Sequence, residues 1–182
     1  MYLIPIEEAR EIVSSLNDET GREVDLEIVE ALTEFIRVTK ALGFSTVQSC
    51  EGHVDWGHPY PWIEFEVSNQ RLHVPSPWKF WKLSLRCWIL KKNKKHAYNA
   101  EMKTDQLCAM FTRLLVQHDK VHGTSTEAFL TIDRCRRFGF RLMPARSILS
   151  DSYAVSGDIS ALNGLLDEQR RVFKSFASFC SQ

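Results

Sequence analysis

The sequence predicts an α+β protein, an antiparallel sheet of about four strands with helices packed on it, forming a single domain over residues 1–182. Three observations predict this. Apolar residues recur at helical spacing near both ends of the chain, whereas four short runs between residues 44 and 143 have strand character, two of them alternating cleanly. The order helix, helix, strand, strand, helix, strand, strand, helix lacks the strict alternation of a parallel βαβ sheet. The length of 182 residues, 44% of them apolar, suffices for one full core and is short for two.

The first helix covers residues 5–16. Pro5 suits a first turn, Glu7 and Glu8 complement the helix dipole, and Ile6, Ala9, Ile12, Val13 and Leu16 share a face. The run Asn17–Gly21 should end it. Asp25 can cap a second helix, in which Ile28, Val29, Leu32, Phe35 and Ile36 form a core-facing stripe and the outer face is mostly Glu; Gly43 stops it. Phe44 to Cys50, rich in Ser, Thr and Val, reads as a buried strand. After a loop over 51–61, residues Trp62 to Val67 alternate, so that Ile63, Phe65 and Val67 face one way and Trp62, Glu64 and Glu66 the other. An antiparallel hairpin of these two strands sets Cys50 and Trp62 at one rim.

Residues 68–76 connect to a segment that begins at the helix-start signal Ser76-Pro77 and has no further Gly or Pro until Gly123. It reads as helix to about His118, either one long helix or two with a break in the polar stretch Lys91–Asn99. The turn Gly123–Thr126 leads to strands Ala128–Asp133 and Phe138–Met143, joined by the basic connector 134–137. In the second, Phe138, Phe140 and Leu142 face opposite to Gly139, Arg141 and Met143. Residues 144–157 read as irregular. A last helix begins near Asp158, its stripe running through Ile159, Leu162, Leu165, Leu166, Phe173, Phe176, Ala177 and Cys180.

Net charge is zero and the predicted pI is 7.0, which argues against a generic polyanion binder. The charges are nevertheless sorted along the chain. Residues 1–66 carry 4 Lys and Arg against 14 Asp and Glu, residues 67–100 carry 8 against none, and residues 101–182 carry 11 against 9. Five scattered cysteines without a Cys-x-x-Cys pair do not form a disulfide framework. The N-terminus lacks the marks of a signal peptide, and no apolar run reaches the ~18 residues of a membrane span. A soluble cytoplasmic protein is expected.

Chemistry concentrates in one stretch. Ser49, Cys50, Glu51, His53, Asp55, Trp56, His58, Tyr60 and Trp62 fall in a segment that Gly52, Gly57, Pro59 and Pro61 fold back sharply on itself. Ser45-Thr46-Val47-Gln48-Ser49-Cys50-Glu51-Gly52-His53, followed by Pro59-Tyr60-Pro61-Trp62, Phe140-Arg141-Leu142-Met143-Pro144 and an aromatic-rich last helix, resembles a group of small uncharacterised bacterial and phage proteins. That resemblance spans most of the chain and implies no particular activity. The Ser49-Cys50-Glu51-Gly52 loop also resembles the Ser-Cys-x-Gly-Arg pattern of tRNA wybutosine-synthesising protein 3, a methyltransferase, with His53 in place of the arginine.

Several readings of the stretch stand side by side. As a small-molecule pocket, Ser49, Cys50, Glu51, His53 and His58 supply polar contacts, Trp56, Tyr60 and Trp62 stacking walls, and Arg141 an anchor for an anionic, aromatic or nucleotide-like ligand. As a zinc site, Cys50, His53 and His58 are ligands, with His73 or Glu64 as a fourth. As a cysteine-based enzyme, Cys50 is a nucleophile beside a histidine base. A purely structural role fits the same letters, with the glycines setting turns and the aromatics covering the end of the sheet. Elsewhere, Trp78, Trp81 and Trp88 among seven Lys and Arg raise nucleic acid, although a helix with buried tryptophans and solvated lysines explains them more simply. The acidic helices or the basic block suit a protein partner, as in a phage-type antagonist of a host factor, and Phe179, off the main stripe, suits a contact to a second subunit (a homodimer) or a partner, although core packing explains it more simply.

Overall fold

A computed structural model describes residues 3–20, 26–55, 57–67, 83–123, 125, 127–136 and 138–182, with the side chains of 15–20, 26–28, 83–94, 96 and 136 left aside. Within them the periodicities resolve into helices α1 (Ile6–Thr20) and α2 (Leu26–Ala41), strands β1 (Phe44–Cys50) and β2 (Trp62–Val67), helix α3 (Leu83–His122), strands β3 (Leu130–Arg136) and β4 (Gly139–Pro144), and helices α4 (Ser147–Ser156) and α5 (Ile159–Cys180). The strands form one antiparallel sheet in the order β1-β2-β4-β3. The α+β class expected from the sequence is the class observed.

The alternation in β2 and β4 decides which face meets the helices. Ile63, Phe65, Phe140 and Leu142 are fully buried on one face, and Phe35 of α2, Phe111 of α3 and Phe173 and Phe176 of α5 close over it. Phe65 and Phe140 lie 5.2 Å apart between ring centroids, Phe111 and Phe140 5.6 Å, and Phe35 and Phe176 5.7 Å. Burying each such ring contributes roughly 1.5–3 kcal/mol. Surface ion pairs, at about 0–1 kcal/mol, are minor beside it.

Three expectations are corrected and an open one is decided. Strand β1 is not buried: among the described residues it is a sheet edge, with Val47 and Gln48 exposed and a bulge between Thr46 and Gln48. Of the two arrangements left open around Lys91–Asn99, the single helix is the one present: α3 runs unbroken for 40 residues, about 60 Å at 1.5 Å per residue. The segment 144–157 is not irregular but holds α4, concealed in the sequence because its apolar residues are spread round the helix: Ile148 and Val155 are exposed, whereas Leu149, Tyr153 and Ala154 are half-buried. Ile159, in the first turn of α5, is 46% exposed rather than part of the stripe, whose other seven members are buried. Helix α1 also runs on to Thr20, past the stop at Asn17. The expected cap Asp25, the start at Ser76-Pro77, and Trp78 and Trp81 lie outside the described residues, as does the side chain of Trp88.

Candidate functional site

Register places the site. Cys50 pairs with Trp62 across β1 and β2, and Glu64 with Arg141 across β2 and β4, so the outer sheet face carries Cys50, Trp62, Glu64 and Arg141 as neighbours. The hairpin rim inferred from the sequence is therefore present. Between Cys50 and Trp62 the chain turns at Gly52, whose φ of +84° is the left-handed region that favours glycine. There is no room for more, because a Cβ on Gly52 would stand 2.6 Å from Leu166 Cδ2 and 2.8 Å from the Tyr60 carbonyl carbon. The His53 amide donates to the His58 carbonyl at 3.0 Å, and the Gly52 amide donates to Cys50 Sγ at 3.4 Å.

The aromatic residues and Arg141 form a layered row. His58, exposed, lies 5.2 Å from Tyr60 and 6.1 Å from Trp62 between ring centroids, and the Arg141 guanidinium sits 4.3 Å over the Trp62 ring. Arg141, read from the sequence as an anion anchor, is engaged within the sheet. Its Nη2 meets Glu64 Oε2 at 3.1 Å, and Glu64 is 1% exposed, so the pair is close to neutral. Two donors beside it are left over. Trp62 Nε1 and Arg141 Nε are both shielded from solvent and find no hydrogen-bond partner among the described residues.

Burial, and after it the charge of Asp151, pushes the Tyr60 phenol above its ordinary value, with Arg141 and the Ser147 side chain acting the other way. Burial, and then the charge of Glu64, push the Cys135 thiol up, with Arg141 acting the other way. Neither Ser147, Asp151 nor Cys135 was singled out from the sequence, because nothing in a linear reading aligns α4 or the end of β3 with this loop. Arg170 of α5 was missed as well. It donates through Nε to the Glu51 carbonyl at 3.0 Å and through Nη2 to the Gly52 carbonyl at 2.8 Å, fixing the turn from the helix side. An arginine one turn after Leu166 on the buried stripe was its only signal.

Among the expected site residues, Cys50, Glu51, His53, His58, Tyr60, Trp62 and Arg141 thus gather at one end of the sheet, with Ser49 paired to Ile63 on β1. Trp56 and His73 are outside the described residues. The zinc reading finds no arrangement to match, since no group of three or more His, Cys, Asp or Glu side chains among the described residues is placed to hold a metal ion. Geometry supplies the reason: the His58 ring is turned to Tyr60 and Trp62, and the Cys50 sulfur to the Gly52 amide. No described helix is long and apolar enough to cross a membrane. The chain matches no protein-family description, no curated protein and no solved structure.

Proposed function

We propose that this chain is a small-molecule-binding protein of the cytoplasm, whose ligand offers an acceptor oxygen, as phosphate or carboxylate does, to the layer formed by Tyr60, His58, Trp62 and Arg141. One observation carries the reading: the shielded N–H groups of Trp62 and Arg141, on stacked side chains, find no acceptor among the described residues. An unmet buried donor costs about 1–3 kcal/mol. Two of them are a large fraction of a typical stability of 5–15 kcal/mol, so they call for an arriving partner that restores the bonds. The neutral Glu64–Arg141 pair means that the ligand is recognised by hydrogen bonds and stacking more than by net charge, and the exposed His58 ring supplies a face for a flat group. Cys50, Cys108, Cys135 and Cys180 stand as thiols, which accords with a reducing compartment.

The test is a thermal-shift screen of inorganic phosphate, simple carboxylates and nucleoside monophosphates against the wild type and Trp62→Phe, which keeps a ring and removes the N–H. A ligand at a hundred times its Kd stabilises by about 2.7 kcal/mol, a shift of several degrees. At least one compound should give such a shift, and Trp62→Phe should weaken its binding by about tenfold or more. A screen without a responder, or a response indifferent to Trp62→Phe, overturns the reading.

A further inference from the structure

Helices α1 and α5 each pack on α2, but the three do not close fully on one another. On α1, Ile6, Arg10, Val13 and Ser14 fall at i, i+4, i+7 and i+8, along one side of the helix. Lys174, Ala177 and Ser178 of α5 repeat the pattern at i, i+3 and i+4, and α2 runs between the two rows from Val29 to Glu34. Much of what the helices turn toward one another here is small: Ala31, Thr33 and Ala177 are buried, with Ser14 and Ser178 exposed beside them. Short side chains leave space that no neighbour fills, and the result is an open cavity of about 580 Å³. Small-molecule sites occupy roughly 300–1,000 Å³, so the size is suitable. None of the lining residues belongs to the layer of Tyr60, Trp62 and Arg141.

The lining is of two kinds. Ile6, Val13, Val29, Ala31 and Ala177 make aliphatic walls, and no aromatic ring lines the cavity among the described residues, so the walls suit a branched hydrocarbon better than a flat ring. Four charged side chains line the same space, two of each sign: Arg10 and Lys174, Glu30 and Glu34. A lining that sums to zero discriminates against a simple anion or cation and complements a molecule that carries both signs. The four are not equally committed. Glu34 is held by Arg37 at 2.7 Å, and Lys174 is engaged as well. Arg10 and Glu30, both exposed, make no ion pair with any described residue although they stand on neighbouring helices and line one cavity. Opposite charges held apart over an aliphatic floor match the two ends of a dipolar molecule laid between them.

We infer that this cavity is a second binding site, for a zwitterion with an aliphatic body: an apolar α-amino acid or a dipeptide of such residues. The carboxylate meets Arg10, the ammonium meets Glu30, and the hydrocarbon lies against Val13, Val29 and Ala177. The inference is independent of the ligand reading at Trp62, because the two sites share no residue and differ in chemistry. Isothermal titration of the full chain with leucine, leucyl-leucine, leucinamide and N-acetylleucine tests it, at two temperatures so that a vanishing enthalpy at one does not hide binding. Leucine or the dipeptide should bind, and the tighter of the two tells how much of the cavity is filled. Leucinamide lacks the carboxylate and N-acetylleucine the ammonium, so each should bind about tenfold or more weakly than leucine.

Arg10→Gln should remove the preference for leucine over leucinamide, and Glu30→Gln the preference for leucine over N-acetylleucine. Both positions are exposed, so both variants should keep the wild-type melting temperature. Trp62→Phe should bind leucine as the wild type does. No binding of leucine or leucyl-leucine at millimolar concentration overturns the inference. So does binding indifferent to the loss of either charge on the ligand, or unchanged in both Arg10→Gln and Glu30→Gln. Leucine binding that is lost in Trp62→Phe assigns the amino acid to the other site and overturns the second one. Leucine bound through Arg10 and Glu30, together with a thermal-shift screen that finds no Trp62-dependent ligand, retains this site and rejects the earlier reading alone.

Discussion

Gly52 shows how one missing Cβ holds the site together. Left-handed backbone costs a non-glycine residue about 1–2 kcal/mol, and here an added Cβ would also press on the Tyr60 backbone, which cannot move aside as a side-chain tip can. Gly52→Ala should therefore destabilise by more than about 2 kcal/mol in urea unfolding. The contrast is Gly164, inside α5 with nothing near its Cβ position. Gly164→Ala should stabilise by about 0.5–1 kcal/mol in the same measurement, because it only removes freedom from the unfolded chain. Sequence alone marks both as glycines in or near ordered segments. It does not distinguish them, since the difference lies in what stands a few ångströms away.

The pair Glu64–Arg141 makes a second prediction at this scale. Removing one partner of a buried ion pair leaves the other charge without compensation, at about 3–5 kcal/mol. Arg141→Ala should lower stability by an amount of that order, and Glu64→Gln added to it should recover a substantial part. A thermal or urea midpoint for the single and double variants checks this, and additive losses would show that the two side chains are not coupled.

At the level of elements, the junction of α3 and α5 is held by a histidine. His118 is 3% exposed, its Nε2 lies 2.8 Å from Ser175 Oγ, and its ring is 4.6 Å from His122 and 5.6 Å from both Phe176 and Phe179. Burial, and then the neighbouring His122, hold its pKa below the usual 6.5, with Asp119 acting weakly the other way. A base whose folded pKa is depressed stays neutral in the folded state while the unfolded chain protonates. The stability is present above pH 6.5 and is lost as pH falls below it toward the folded value. His118→Gln, which keeps a hydrogen-bonding group and removes the titration, should flatten the fall in melting temperature between pH 7 and 5 relative to wild type. Phe179, for which the sequence favours core packing over a contact to a second subunit or partner, packs partly buried beside these rings.

The same helices show where sequence periodicity succeeds. Seven of the eight stripe residues of α5 are buried, and Asp158 caps the helix as its type and position suggest. Helix α4 is the opposite case. A stripe rule misses a helix that leaves Ile148 and Val155 exposed beside half-buried Leu149, Tyr153 and Ala154.

For the whole molecule, buried thiols set the alkaline limit. Burial pushes Cys180 up to about 12 and Cys108 to about 11, from an ordinary 9. Above pH 9 the unfolded chain releases these protons and the folded one does not, so stability should decline from pH 9 upward. With His118 acting below pH 6.5, thermal midpoints should peak between those limits, and Cys180→Ala should soften the alkaline side only. Against an alkylating reagent at pH 8, exposed Cys135 should react well before Cys180, as peptide mass spectrometry of partly labelled protein will show.

What the sequence by itself determined is whatever depends on spacing along the chain: the α+β class, the hairpin register that sets Cys50 beside Trp62, the inner and outer faces of β2 and β4, and the concentration of reactive side chains before Trp62. Tertiary structure decided which of those groups face one another. Arg170 reaches the Glu51 carbonyl from 119 residues away, and Glu64 takes Arg141 from 77 away. Periodicity is a local property, governed by 3.6 or 2 residues per repeat. Convergence is a property of packing, fixed only when the phenylalanine core closes and brings distant backbone into contact.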